Sequence, residues 1–300
     1  MQVEITKQLH LGAEANFFIS MHSILNIINI LALELQLLEI VSDKKNALSK
    51  SIELCMSIKD SLTDKPKFLE QINSLQENLS LIHFERDRLL DQYPQLSKVQ
   101  EVKDSSQNID SIVDILRQRI EEIRQRLQKP AGWLSYNLHD LEKEFMNFFA
   151  ATQRNSKRAF RVVYNPAARG DNDYLVMLRL QSVDSPMISL PDVFKDVMRD
   201  LLANARKYSP PGSNILMGLL DDGRELRLVI EDTGRGIPAD EIEQVVDYGY
   251  RAKNTKDKPT MGAGVGLTKA YLITKEFDGR FWITSEEGRG TRITIAIPRI

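Results

Sequence analysis

Two glycine-bearing segments in the last third of the chain restrict what it can fold into. An apolar run at residues 226–230 reads as a buried strand, and it leads into Glu231-Asp232-Thr233-Gly234-Arg235-Gly236-Ile237-Pro238. An acid at a strand end followed by D-x-G-x-G sets one carboxylate at the wall of a pocket. The glycines let the backbone turn tightly and approach a ligand without Cβ interference. Some thirty residues on, Met261-Gly262-Ala263-Gly264-Val265-Gly266-Leu267 runs into a helix expected over 267–276. Backbone N–H groups of such a loop and the helix N-terminus form a cradle for phosphate.

Upstream, residues 192–208 carry Val193, Phe194, Val197, Met198, Leu201, Leu202 and Ala205 at three- and four-residue intervals, the pattern of a helix with one buried face. Asp200 and Asn204 are four apart and share a neighbouring stripe. An oxygen-ligand pair of this kind suits Mg²⁺, which keeps several waters and takes few protein ligands beside phosphates. Lys207 is near enough along the helix to reach a phosphate, and Pro210, Pro211 and Gly212 stop the helix.

Asp200-x-x-x-Asn204-Ala205-x-Lys207-Tyr208-Ser209, Asp232-x-Gly234-x-Gly236, Gly262-x-Gly264-x-Gly266-Leu267 and Gly290-Thr291 together resemble the Asn box, two Gly boxes and closing Gly-Thr of the GHKL ATPases. The nearest subfamily is the catalytic domain of bacterial sensor histidine kinases. The resemblance covers residues 131–300 and implies an α/β sandwich that binds ATP with Mg²⁺. It implies that Asn204 holds Mg²⁺, Asp232 hydrogen-bonds the adenine amino group, Tyr208 packs near the base and Thr291 supports the adenine site. Residues 247–261 would form the lid, with Arg251 on the terminal phosphate. The chain departs from the subfamily at Asp200, where histidine kinases usually carry Asn. Other GHKL ATPases place an acid there as a base for water, so Asp200 is expected either beside the metal or in ATP hydrolysis. Lys256 and Lys258 are read as an ordinary solvated loop.

With 300 residues the chain suits about two domains. Its net charge of −2 implies no general polyanion affinity, so nucleic acid is not an expected partner. The single cysteine, Cys55, excludes an internal disulfide and a cysteine metal cluster. The longest apolar stretch, 24–41, is interrupted by Asn26, Asn29, Glu34, Gln36 and Glu39, which argues against a membrane span. With no secretory signal pattern visible, the expected location is the cytoplasm.

The first 130 residues are helical in pattern, with helices expected near 5–42, 45–62, 67–91 and 97–128. In the last, Ile109, Ile112, Leu116, Ile120, Ile123 and Leu127 form an apolar stripe suited to a bundle or coiled coil. In the first, Phe18, Met21, Leu25, Ile28, Ala32, Leu35 and Leu38 fall near heptad spacing, with His22 at the edge of that seam and Asn26 one turn on. An accessible imidazole can attack a phosphorus atom with its neutral ring nitrogen. The run from Ala15 to Asn26 resembles the phospho-acceptor box of histidine kinases, with two departures: Ser23 stands where an acid usually follows His, and Ile27 where Pro usually follows Asn. The resemblance implies phosphorylation of His22, with Asn26 orienting water for the reverse hydrolysis.

The expected fold is α + α/β: an N-terminal helical dimerisation and phosphotransfer bundle over 1–130, then a GHKL-type α/β sandwich ATP-binding domain over 131–300, with Lys129-Pro130-Ala131-Gly132 as the boundary. The expected activity is that of a protein-histidine kinase. It would be a homodimer through the N-terminal helices, would not insert in a membrane and would pass its phosphoryl group to a response-regulator receiver domain. A GHKL ATPase or serine kinase, and a nucleotide-binding pseudokinase or phosphotransfer scaffold, are the competing readings.

Overall fold

The computed structural model describes residues 2–128, 132–155, 160–255 and 263–299. The chain divides into two compact units, Leu11–Pro130 and Met1–His10 joined with Ala131–Ile300. An N-terminal helical bundle is thus followed by a mixed α/β sandwich.

The helical unit contains α1 (Ala13–Ser42), α2 (Ser49–Ser61), α3 (Lys65–Asn73), α4 (Leu75–Gln92) and α5 (Gln100–Gln128). α1 packs along α5 and α2. Met21, Leu25, Ile28, Ala32, Leu35 and Leu38 of the heptad seam share one core with Ile109, Ile112, Leu116, Ile120 and Ile123 of α5. Apolar surface buried in this way drives the association of the helices. The stretch expected as one helix over 67–91 is two. α3 starts at an Asp64 cap, whose side chain accepts from Lys67 N, and the break falls at Ser74. Burial pushes the Cys55 thiol up to about 12, in keeping with a packing residue. By length and composition α1 is apolar enough to cross a membrane, although its polar interruptions pointed the other way. Three of those five, Asn26, Asn29 and Gln36, are uncharged. In this structure its apolar side is core: Ile24, Leu31 and Leu35 are fully buried.

Among the described residues of the α/β unit, the main sheet has seven strands: β1 (Gln2–Glu4), β3 (Val162–Val163), β4 (Tyr174–Ser182), β6 (Asn214–Asp221), β7 (Glu225–Asp232), β8 (Arg280–Glu286) and β9 (Gly290–Pro298). Their order is β1-β8-β9-β7-β6-β4-β3. β3-β4 and β4-β6 are parallel and the other pairs antiparallel. β2 (Trp133–Asn137) pairs with β5 (Met187–Pro191) in a separate ribbon. α6 (Leu138–Asn155), α7 (Phe194–Lys207) and α8 (Gly266–Glu276) complete the unit. Phe145 and Phe149 of α6, Val197, Leu201 and Leu202 of α7, and Ala270 and Tyr271 of α8 share a core with Val176, Met217, Leu228, Ile230 and Ile295 of the sheet.

The first helix was expected from residue 5 and residues 1–10 in the helical domain. Both differ here. α1 starts at Ala13, and the segment Met1–His10 belongs to the α/β unit. Val3 faces Ile283 across the β1-β8 pair, Ile5 is 1% exposed, and Ile5 N–H donates to Phe281 O at 2.9 Å. The edge of β8 supplies unpaired backbone groups, and β1 covers them.

Candidate functional site

β6 brackets the end of β7 on one side and β9 on the other. Asp232 lies opposite Ile215 and opposite Thr291. Its carboxylate is thereby held at the sheet end, where Gly234 N–H donates to Oδ1 at 2.8 Å and Ser209 Oγ lies 3.5 Å away. Burial is the main influence on this carboxyl and pushes it up from 3.8 to about 6, against the lowering effect of hydrogen bonds from the Gly234 and Thr291 backbone. Thr291 Oγ1 also meets Ser285 Oγ at 2.9 Å. Gly234 is required by close approach: a Cβ there would stand 2.6 Å from Tyr208 O and 2.7 Å from both Asp232 Oδ1 and Ser209 Oγ. Arg235 N–H donates to Tyr208 O at 3.1 Å, which ties the D-x-G-x-G turn to the end of α7. Gly236 completes the turn at φ +65°.

α7 forms where the apolar spacing placed it, with Phe194, Val197, Met198, Leu201, Leu202 and Ala205 buried. Asn204 lies against the first turn of α8: a Cβ on Gly266 would stand 3.1 Å from Asn204 Nδ2. Gly264, at φ +72°, lies under the lid base, where a Cβ would come within 2.9 Å of Tyr250 O. Leu267 packs on the core, and Gly262 lies outside the described residues. So do 256–261 of the expected lid. What is described of the lid is anchored by Glu241, which accepts from Lys253 N–H at 2.9 Å, and by Thr268, which donates to Asp247 O at 3.1 Å.

Cations gather at the C-terminus of α7. Burial, then Arg251 and then Arg206, depress the Lys207 ammonium from 10.5 to about 8. Lys207 Nζ also lies 5.1 Å from the Tyr208 ring centre. Arg206 stacks over Phe160 at 5.0 Å, and its Nε is buried with no hydrogen-bond partner among the described residues. Burial raises the Tyr208 hydroxyl despite a hydrogen bond with Arg251, and Arg251 Nη2 donates to Thr255 O at 3.1 Å. The region therefore holds a desolvated carboxylate at Asp232 and, beside Tyr208, a Lys207 ammonium crowded by Arg251 and Arg206.

Residues 190–300 match the family of histidine kinase-, DNA gyrase B- and HSP90-like ATPases. The α/β unit is a GHKL-type histidine-kinase catalytic domain. The sensor histidine kinase WalK of Bacillus subtilis is 33% identical over 109 residues, 36% of this chain and 18% of WalK. The adaptive-response sensory kinase SasA of Synechococcus elongatus is 33% identical over 109 residues, 36% of this chain and 28% of SasA. The probable sensor kinase SilS of Salmonella typhimurium is 26% identical over 152 residues, 51% of this chain and 30% of SilS. The chain thus spans no more than 30% of the length of these curated relatives.

Within this catalytic domain Asp200 pairs with a cation of α8. Lys269 Nζ of α8 donates to Asp200 Oδ2 at 2.9 Å. Lys269, Arg206 and Glu241 were not anticipated. For Lys269 a signal was present, a lone charge inside the apolar run of α8.

In the helical unit His22 is 7% exposed, not the accessible imidazole expected at a bundle edge. The seam wraps further round α1 than heptad spacing implied, since Ile24 and Leu31 are buried as well. Ser23 accepts a hydrogen bond from Arg119 Nε of α5 at 3.0 Å, and Arg119 Nη1 pairs with Glu122 at 2.5 Å. Asn26 is half-buried one turn further along.

Proposed function

We propose that this chain is an ATP-dependent protein-histidine kinase of a two-component system. ATP lies with its adenine amino group on Asp232, beside Tyr208 and Thr291, over the turn at Gly234 and Gly236. Its phosphates lie at Lys207 and Arg251 and on the loop of Gly262, Gly264, Gly266 and Leu267, with Mg²⁺ at Asn204. His22 attacks the γ-phosphorus, the bond to the β–γ bridging oxygen breaks, and ADP leaves. The phosphoryl group then passes to a receiver-domain aspartate, and Asn26 orients water for the reverse hydrolysis. Assembly is a homodimer through the N-terminal helices, and the site of action is the cytoplasm. The observation that supports ATP most directly is the buried Asp232 carboxylate at the D-x-G-x-G turn, which Arg235 N–H ties to Tyr208 O, next to the cation cluster at Lys207.

The burial of His22 favours a second reading, an ATPase, serine kinase or nucleotide-binding scaffold with the same pocket. Under the first reading the Arg119–Ser23 contact opens before His22 reacts. Incubation of the full chain with γ-labelled ATP separates the two. Acid-labile, base-stable label that disappears in His22→Gln, at unchanged ATP affinity, is the expected result. Label that persists in His22→Gln moves the activity to the second reading.

A further inference from the structure

α7 and α8 meet at two levels. At one, Asn204 lies against Gly266. One turn back along α7 and one turn on along α8, Asp200 meets Lys269. Lys269 is 4% exposed and sits among the buried residues Thr268, Ala270 and Tyr271. A lysine so far from water persists only when its charge is matched. Its ammonium is 2.9 Å from Asp200 Oδ2 and 4.0 Å from Asp196 Oδ2, with Asp196 3% exposed. Arg199 lies 3.4 Å from Asp196 and contacts Glu144, and Lys195 lies 3.2 Å from Glu144. Three cations (Lys195, Arg199, Lys269) thus interleave with three carboxylates (Glu144, Asp196, Asp200).

We infer that Lys269 is a charge lock on Asp200 that keeps bound ATP from being spent on water. The inference rests on the ATP reading of the pocket. Asp200 is a carboxylate one helical turn from Asn204, the residue assigned to the phosphates' metal. Left unpaired, it is placed to accept a proton from water as the water oxygen bonds to the γ-phosphorus, the bond to the β–γ bridging oxygen breaks and ADP departs. With Lys269 in place, that carboxylate is ion-paired and its Oδ2 already accepts from the ammonium. The phosphoryl group is then kept for a protein acceptor. Lys269 is a positioning residue: it acts through Asp200 and touches no reacting atom.

The test compares the full chain with Lys269→Met, Asp200→Asn and the double variant. ATP hydrolysis, nucleotide affinity by calorimetry, and urea unfolding without nucleotide are read for each. Lys269→Met should hydrolyse ATP faster by about a hundredfold, the usual scale of one general base, and the double variant should return to the wild-type rate. Without nucleotide, each single variant strands a buried charge and should unfold at lower urea, while the double variant recovers most of the loss. Should Lys269→Met not fold, Lys269→Gln carries the same comparison. A wild-type chain that binds no nucleotide removes the ATP reading itself. Nucleotide binding with no faster hydrolysis in Lys269→Met overturns the lock alone, as does an Asp200→Asn chain that hydrolyses more slowly than wild type.

Discussion

Replacing Asp232 by Asn should separate function from stability in opposite directions. The Asp232 carboxyl is raised from 3.8 to about 6 in the folded chain, chiefly by burial. A shift of about two units corresponds to about 3 kcal/mol of penalty on the folded state at pH 7, at about 1.4 kcal/mol per unit. The sign follows from proton counting. Between 3.8 and about 6 the folded chain holds a proton that the unfolded chain has lost, so stability falls as pH rises through that window and is flat above it. Asn carries no charge and escapes the penalty. It offers less acceptor capacity to the N–H groups of Gly234 and Thr291, which costs about 1 kcal/mol. The net expectation at pH 7 is an Asp232→Asn chain more stable by about 1–2 kcal/mol. That gain should vanish below pH about 4, where the wild-type carboxyl is protonated in both states. Nucleotide affinity should fall by about tenfold to a hundredfold, the scale of a lost hydrogen bond to a charged group. For the wild type, affinity should weaken about tenfold per unit below pH about 6, because the proton and the adenine amino group compete for the same carboxylate. Urea unfolding at pH 7 and pH 4, with calorimetry at pH 7.5 and pH 5, reads all of this. An Asp232→Asn chain less stable than wild type at pH 7, or a wild-type affinity flat across that range, would refute the reasoning.

Gly234→Ala should destabilise the α/β unit by about 1–3 kcal/mol and abolish nucleotide binding, because the new Cβ meets Tyr208 O, Asp232 Oδ1 and Ser209 Oγ together; unfolding and calorimetry check the two effects. Ile5→Ala should cost about 2–4 kcal/mol, since Ile5 is in the core of the α/β unit; the loss should appear as faster amide exchange in residues 280–286, and unchanged protection there would detach β1 from the sheet. Lys207→Met should weaken ATP more than adenosine and flatten the salt dependence of ATP affinity, because it removes one of the cations at the phosphate end; equal losses for the two ligands would take Lys207 off the phosphates.

The catalytic half of the chain was legible because its signals are local. The D-x-G-x-G turn is a short local pattern, and apolar periodicity places α7 without reference to anything else. The bundle was legible as helices for the same reason, apart from the break at Ser74, where the apolar pattern continues through a change of helix. What tertiary structure decided lies in contacts between distant segments. Residues 2–4 are a strand only because β8, far along the chain, presents an open edge, and nothing local distinguishes them from the start of a helix. His22 was visible as a histidine beside a seam, but its exposure depends on how far that seam wraps round α1 to meet α5 and α2, which a single helix's periodicity does not specify. Asp200 reads from the sequence as an available carboxylate. Its availability is set by Lys269, a charge from another helix, because an ion pair is a property of two surfaces brought within 3 Å and not of either sequence segment.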